Sequence, residues 1–515
     1  MSIDRRRPER RTVTDSALGK LADSVILPSF PGPTAPVWLL RALEGGLAGV
    51  SLFASNMVGG PSAAAELTAS LRSTAPEAII SVAEEGGDVT RDWSGTGSPF
   101  PGNAVLGAAD DESLTEAVYA AAGTHLAAIG INLNRAPCLD VLSVPLNPII
   151  GTRSFGPSPA LAARHGAAAV RGLQSRGVAA CAKHFPGHGA TMTDSHLELP
   201  EVPGGRAELW ERDLPPFAAA VAAGVATVML GHLRVPWLTG ELPASLSPQA
   251  LTLLRRELGF SGVIVTDGLE MRAVRTPYGL AGASVMALAA GNDLLCLGRE
   301  RSEEDYREVR AAIIEAVRSG AVHEERLEGA ARRVVSLRAW LATGGREAVP
   351  GTGSSSPGEA GLEAARRALS LTGYLSEPRD PIVMEVESPV TIAGGKPNWG
   401  LADWVPGRNL RRVAAGDPGA AAETLQSVAG RTLILLVRDA HQSAATREFV
   451  LSVLSRRPDA VVVEMGLPYW MPPARVCRAH LATYGASRAS AEAAAERLGL
   501  KQRIAEKGRP WTQKQ

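Results

Sequence analysis

Aromatic side chains are scarce, with Phe, Trp and Tyr together at 4% of 515 residues. The cores must therefore be packed mainly with Val, Leu, Ile and Ala. Net charge is also missing: 53 Lys and Arg balance 53 Asp and Glu. That balance argues against a general nucleic-acid or anionic-membrane binder. No run of eighteen apolar residues occurs, so no membrane span is expected. The start, MSIDRRRPERRTVTD, is basic but has no apolar stretch behind it, which speaks against a secretory signal and for a cytoplasmic protein with a frayed tail. The four cysteines (Cys138, Cys181, Cys296 and Cys477) show no CxxC spacing. Three of them fall in apolar strand-like runs, which reads as buried free thiols rather than disulfides or a metal site. No GxGxxG fingerprint and no internal repeat is found.

Histidine is rare as well, at nine residues, which makes its clustering informative. KHFPGHGATMTDSH, from Lys183 to His196, holds three of the nine. A small-apolar run over 177–182 predicts a short buried strand, and Pro186, Gly187 and Gly189 predict a polar loop after it. Asp194 and His196 are two apart, a spacing that suits a carboxylate orienting an imidazole.

Short apolar strands alternate with Ala-rich amphipathic helices from 23 to 345, about eight times. Strands are predicted over 25–27, 49–53, 78–82, 131–134, 178–181, 226–230, 262–266 and 293–296. This is the pattern of an α/β fold, a (β/α)8 TIM barrel, with a doubly wound open sheet as the alternative. The unusual polar residues share one phase: Glu84 and Glu85, Lys183 and His184, His232 and Asp267 each follow a strand. Strand C-termini are where such barrels place their chemistry. Residues 1–22 read as a flexible tail. Residues 346–362, rich in Gly, Ser and Pro, read as a linker, 363–500 as a smaller three-layer α/β domain, and 501–515 as a second tail.

KHFPGHG followed by TDSH, then GVIVTDGLEM at 262–271, resembles glycoside hydrolase family 3, in its bacterial β-N-acetylglucosaminidase branch. EEGGDVTR at 84–91, NLNRAPCLDV at 132–141, IIGTRSFGPSP at 149–159 and RRELGFSGVI at 255–264 extend the likeness over about 20–345. The resemblance implies a retaining two-step glycosidase, a β-N-acetylhexosaminidase that releases terminal β-linked N-acetylglucosamine. It implies no cofactor or metal, and a place in cell-wall (peptidoglycan) fragment turnover. It implies Asp267 as nucleophile and His196 as acid/base, with Asp194 holding the imidazole. It also implies Lys183, His184, Arg153 and Arg91 as sugar contacts. The expected partner is a small carbohydrate, not nucleic acid or membrane.

Three positions depart from the family pattern. Ala83 stands where relatives carry a substrate-gripping aspartate, Asp88 where they carry arginine, and Arg135 where they carry an apolar residue. Glu84, Asp88 or Asp92 can take over the lost grip, the sugar can differ from N-acetylglucosamine, or activity can be weak. A β-glycoside phosphorylase forming a sugar 1-phosphate, and a non-catalytic sugar-binding homologue, are the rival readings. Trp93 and Trp237 are candidates for stacking on a sugar face.

Overall fold

The computed structural model describes residues 15–195, 198–344, 357–388, 400–416, 425, 428 and 430–500. All eight expected barrel strands are present: β1 (Ile26–Leu27), β2 (Gly49–Ser51), β3 (Ile79–Val82), β4 (Leu133–Asn134), β5 (Ala179–Phe185), β6 (Thr227–Leu230), β7 (Val263–Thr266) and β8 (Leu295–Cys296). Strands β2 to β7 form one parallel sheet in chain order, and β1 pairs in parallel with β8. The ring closes through the Val265–Leu294 bridge on one side and Ser51 N–H to the Pro28 carbonyl, 2.8 Å, on the other. This is a TIM-barrel-like α/β fold.

The strands are buried on both faces, so they are apolar throughout rather than alternating. Their two faces nevertheless pack into different clusters. Ile80, Val82, Ala180, Ala182, Val228, Leu230 and Ile264 meet the outer helices. Ile79, Leu133, Ala179, Cys181, Met229, Val263 and Val265 fill the interior, closed from beneath by Val334, Leu337 and Leu341 of the helix Glu324–Ala342. Because side chains on a strand repeat every second residue, the interior phase runs on to Ala83, Arg135, Lys183 and Asp267 at the mouth.

Three expectations are corrected. Residues 15–22 are not tail: the helix Asp15–Asp23 buries Leu18 and Ala22, and Arg310 and Tyr306 each bond Asp23 at 2.7 Å. Residues 357–362 are not linker but the start of the helix Pro357–Ala368, which packs on the helices Asn103–Ala109 and Glu112–Ala128. Gly361 makes this possible, since a Cβ there would stand 2.2 Å from the Pro99 carbonyl oxygen. Lys183 and His184 lie within β5 rather than on a loop, because the backbone of Lys183 bonds Pro137 and Leu139 of the neighbouring segment at 3.2 and 2.6 Å. The rest of the linker, 346–356, and the tails 1–14 and 501–515 lie outside the described residues.

The second domain is a six-stranded sheet ordered β11-β10-β12-β13-β14-β9, parallel except for β9. Its strands are β9 (Ser370–Gly373), β10 (Ile382–Val386), β11 (Leu410–Val413), β12 (Leu433–Val437), β13 (Val461–Glu464) and β14 (Ala479–Ala482). Ile434 and Leu436 face the helix Arg488–Arg497, while Leu433 and Leu435 face the helix Ala444–Arg456. The domain touches the barrel beside its mouth. Arg438 pairs with Asp88 at 2.6 Å, His441 bonds the Pro145 carbonyl at 3.0 Å, and Leu467 packs with Val89, Cys138 and Ile149. Among the described residues, no helix is long and apolar enough to cross a membrane.

Candidate active site

A pocket opens at the C-terminal ends of the strands, lined in part by Lys183, His184, Arg153, Arg91 and Asp267. Five of the seven expected site residues therefore share one pocket. Asp194 is described and its carbonyl accepts from Glu198 N–H at 3.1 Å, close in sequence to Ser195, which lines the pocket. His196 lies outside the described residues.

Asp267 follows β7, with its N–H bonded to the Leu230 carbonyl at 3.0 Å. Its Oδ1 accepts from the Gly268 N–H at 2.8 Å. It does not cap the next helix, which starts at Arg272 after Met271. His232 is buried beside it, bonding Ser245 Oγ at 2.7 Å and the Gly268 carbonyl at 3.0 Å. It fixes the turn that presents the carboxylate.

Glu85 organises the opposite side. It accepts two bonds from Arg153 at 2.9 Å and an ion pair from Lys183 at 2.6 Å, all three side chains being almost fully buried. Burial pushes the Glu85 carboxyl up, but Arg153 and Lys183 outweigh it and hold it well below the usual carboxylate range. Asp140 acts in the same way, farther from the pocket centre. It bonds His184 Nδ1 at 2.7 Å and takes the N–H of His184 at 3.2 Å and of His188 at 2.7 Å. Against burial, His184 and then His188 keep its carboxyl low. With Nδ1 engaged, His184 turns Nε2 toward Arg153 at 3.3 Å and into the pocket. The sequence alone assigns no role to Glu85 or Asp140, although both lie in family motifs; their position at strand ends is the available signal.

The KHFPGHG loop is built to fold back on the barrel. Gly189 lies against Val141, where a Cβ would stand 1.9 Å from the carbonyl oxygen. Gly187 has φ +135°, against Asp213. His188 bonds Thr191 at 2.7 Å and Ser195 at 3.1 Å, and burial lowers its pKa to about 4, so it is a neutral brace for the segment leading to His196.

None of the three acids that could replace a carboxylate at Ala83 does so. Glu84 folds back onto the N–H of Arg91 at 2.7 Å, and burial raises its pKa to about 7. Asp88 is taken by Arg438 and Thr152, and Asp92 by His125 at 2.5 Å. Trp93 packs on His125, ring centres 5.1 Å apart, and Trp237 packs on the core; among the described residues Phe53 brings a phenyl ring to the pocket lining.

Cys138, Asp140 and His184 place possible ligand atoms within 4.8 Å of one another. They satisfy each other instead: the Cys138 thiol donates to Asp140 at 3.1 Å, and burial, then Asp140, raises its pKa well above normal. A thiol kept protonated is a poor metal ligand.

Residues 42–337 match the model of the glycosyl hydrolase family 3 N-terminal domain. A β-hexosaminidase A of Pseudoalteromonas piscicida is 33% identical over 321 residues, 57% of this chain and 54% of its own length. The chain thus spans about half of that relative. A β-hexosaminidase of Neisseria meningitidis serogroup C is 38% identical over 281 residues, 52% of this chain and 77% of its own length. A solved family 3 β-N-acetylglucosaminidase from Paenibacillus superposes with a TM-score of 0.83 at 30% identity, covering 95% of this chain and 97% of that one.

Proposed function

The chain belongs to glycosyl hydrolase family 3, a family of glycosidases, and from that premise we propose that it is a retaining β-N-acetylhexosaminidase. The observation that carries this reading is the meeting of Asp267 with Lys183 and His184 in one pocket, from strands β7 and β5. An Asp267 oxygen attacks the anomeric carbon as the bond to the aglycone oxygen breaks, and a glycosyl ester forms. His196, oriented by Asp194, gives its proton to the departing oxygen, then takes one from the incoming water that restores Asp267. Lys183, His184, Arg153 and Arg91 bind the sugar. Glu85 and Asp140 hold three of these four in place before substrate arrives, so little ordering remains to be done on binding. Release of terminal N-acetylglucosamine from cell-wall fragments in the cytoplasm is the finer reading; it rests on the motif likeness.

The test is turnover of 4-nitrophenyl N-acetyl-β-glucosaminide, in buffers with and without phosphate, with the anomer released followed by NMR. The β-anomer in both buffers is expected. Sugar 1-phosphate in the phosphate buffer replaces hydrolysis by phosphorolysis. Absence of turnover on a panel of β-glycosides removes the enzyme reading.

A further inference from the structure

The pocket carries more positive charge than the proposed chemistry uses. Arg91, Arg135, Arg153, Lys183 and Arg299 line it, against the carboxyls of Glu85, Asp267 and Glu270. Arg153 and Lys183 are both engaged by Glu85. Arg91, Arg135 and Arg299 stand on the other wall, at the ends of β3, β4 and β8.

Arg135 is its centre. The residue is only 6% exposed, and its Nε has no hydrogen-bond partner. One guanidinium nitrogen reaches the Cys296 sulfur at 3.4 Å, and the group lies 5.0 Å from the centre of the Phe53 ring. Among the described residues, Arg135 forms no ion pair with any carboxylate. Another guanidinium nitrogen donates to the Leu52 carbonyl in a long bond of 3.5 Å. A thiol, a ring and one long bond to a neutral carbonyl answer a buried full charge weakly. Its neighbour across the sheet offers no help: Arg135 N–H bonds the Val82 carbonyl at 2.7 Å, which sets the methyl of Ala83 beside it. Arg299 adds a second guanidinium 5.7 Å from the same Phe53 ring.

Apart from Asp267, which the proposed chemistry uses, the nearby carboxyls give Arg135 no ion pair among the described residues. Glu84 is turned to the backbone of Arg91, and Glu270 accepts from the Arg299 N–H at 2.9 Å while its other oxygen stays unpartnered. Burial raises both, which favours their neutral forms. Arg91 registers the resulting field: burial, then the charge of Arg299, lowers its pKa to about 10 despite Glu85 and Glu84.

We infer that this wall is an oxyanion subsite, in which Arg135, flanked by Arg91 and Arg299, takes a carboxylate, sulfate or phosphate group. That group is either a substituent of the bound sugar or free phosphate. Planar guanidinium groups suit such anions because they donate in a fixed fork. The inference rests on the pocket being the glycosidase site, and it names the class of ligand that site prefers.

The test measures binding to the full-length Asp267→Asn protein by calorimetry at fixed ionic strength. The probes are N-acetylglucosamine, its 6-sulfate, glucuronate and inorganic phosphate. At least one anionic probe is expected to bind about tenfold or more tightly than N-acetylglucosamine. That preference is expected to fall to within about threefold in Arg135→Met, and to weaken in Arg299→Gln, which sits on the exposed side and keeps the test open if the buried change prevents folding. Preference for the sulfate or glucuronate assigns the anion to the sugar; preference for phosphate alone assigns it to the free ion. Equal or tighter binding of the neutral sugar, or a preference that survives both substitutions, overturns the subsite. Turnover of the neutral nitrophenyl glycoside by the unaltered protein is scored separately. Turnover without anion preference sinks the subsite only, and anion preference without turnover sinks the glycosidase reading only.

Discussion

The two walls of the pocket differ in how their charges are answered. On the wall of β5, Glu85 meets Arg153 and Lys183, and Asp140 meets His184, all at 2.6 to 2.9 Å. On the wall of β4 and β8, Arg135 faces a ring, a thiol and the Leu52 carbonyl at 3.5 Å. The first wall is complete without ligand and can hold hydroxyl-binding groups at fixed positions. On the second, Arg135 meets no carboxylate among the described residues. Buried cations are costly unless compensated, so the two walls ask for different partners: neutral polar groups at one, an oxyanion at the other.

The sharpest way to break this comparison is at the carboxylate between the walls. Asp267→Asn is expected to lower kcat by about three orders of magnitude or more while sugar binding survives. Near-normal turnover, measured with the nitrophenyl glycoside, sinks the mechanism.

The next largest effect belongs to the balanced wall itself. Glu85→Gln leaves Arg153 and Lys183 facing each other without a countercharge. Breaking one side of a buried pair costs about 3–5 kcal/mol, which chemical denaturation would read directly. Arg135→Met on the other wall should cost far less stability, or add some, because it removes a charge that meets no carboxylate among the described residues. Equal losses in the two variants would erase the distinction between the walls.

A smaller effect is expected where the second domain supports the Glu85 loop. Asp88 and Arg438 form a nearly buried pair between domains, with side chains 7% and 12% exposed. A double-mutant cycle of Asp88→Ala and Arg438→Ala should give a coupling of about 1–3 kcal/mol, together with a raised KM in each single variant. No coupling would mean that the second domain does not position the loop.

The smallest effect is a pH slope. Burial raises the Glu84 carboxyl to about 7. The folded protein then binds more protons at this site than the unfolded chain, so the stabilising term is fully present below the unfolded glutamate value of about 4.3 and is lost as pH rises toward 7. Glu85 and Asp140 have the opposite sign. Their carboxyls are held low, so their term is full above about 4 and is lost on further acidification. Glu84→Gln should flatten the fall in stability between about pH 5 and 7 and leave the acid limb in place. A slope unchanged by that substitution assigns the titration elsewhere.

Much of the site is legible in the chain because strands impose a period of two. Once β3, β4, β5 and β7 are placed, residues 83, 135, 183 and 267 must share the barrel interior, and the motif around 262–271 marks the last of them. The fate of Glu84, Asp88 and Asp92 is not legible there. Each is a strand-end acid of the same appearance, and only the folded chain turns Glu84 to its own loop, Asp92 to His125 and Asp88 to Arg438. The last pairing joins two domains far apart in the chain, beyond any local pattern. The first part of the helix at 357–368 is hidden for a related reason: residues 357–362, with a proline and two glycines, read as linker until a close neighbour needs a small side chain at Gly361.

The amino-acid order alone determined the alternation of strand and helix, the family motifs and the supply of polar groups at strand ends, since these depend on local periodicity and short spacings. Tertiary structure alone decided which charges meet. Attraction between ionised groups depends on distance and on the surrounding dielectric, and both are set by packing between segments far apart in the chain. Lys183 and Arg153 thus find Glu85, while Arg135 comes to rest against Phe53.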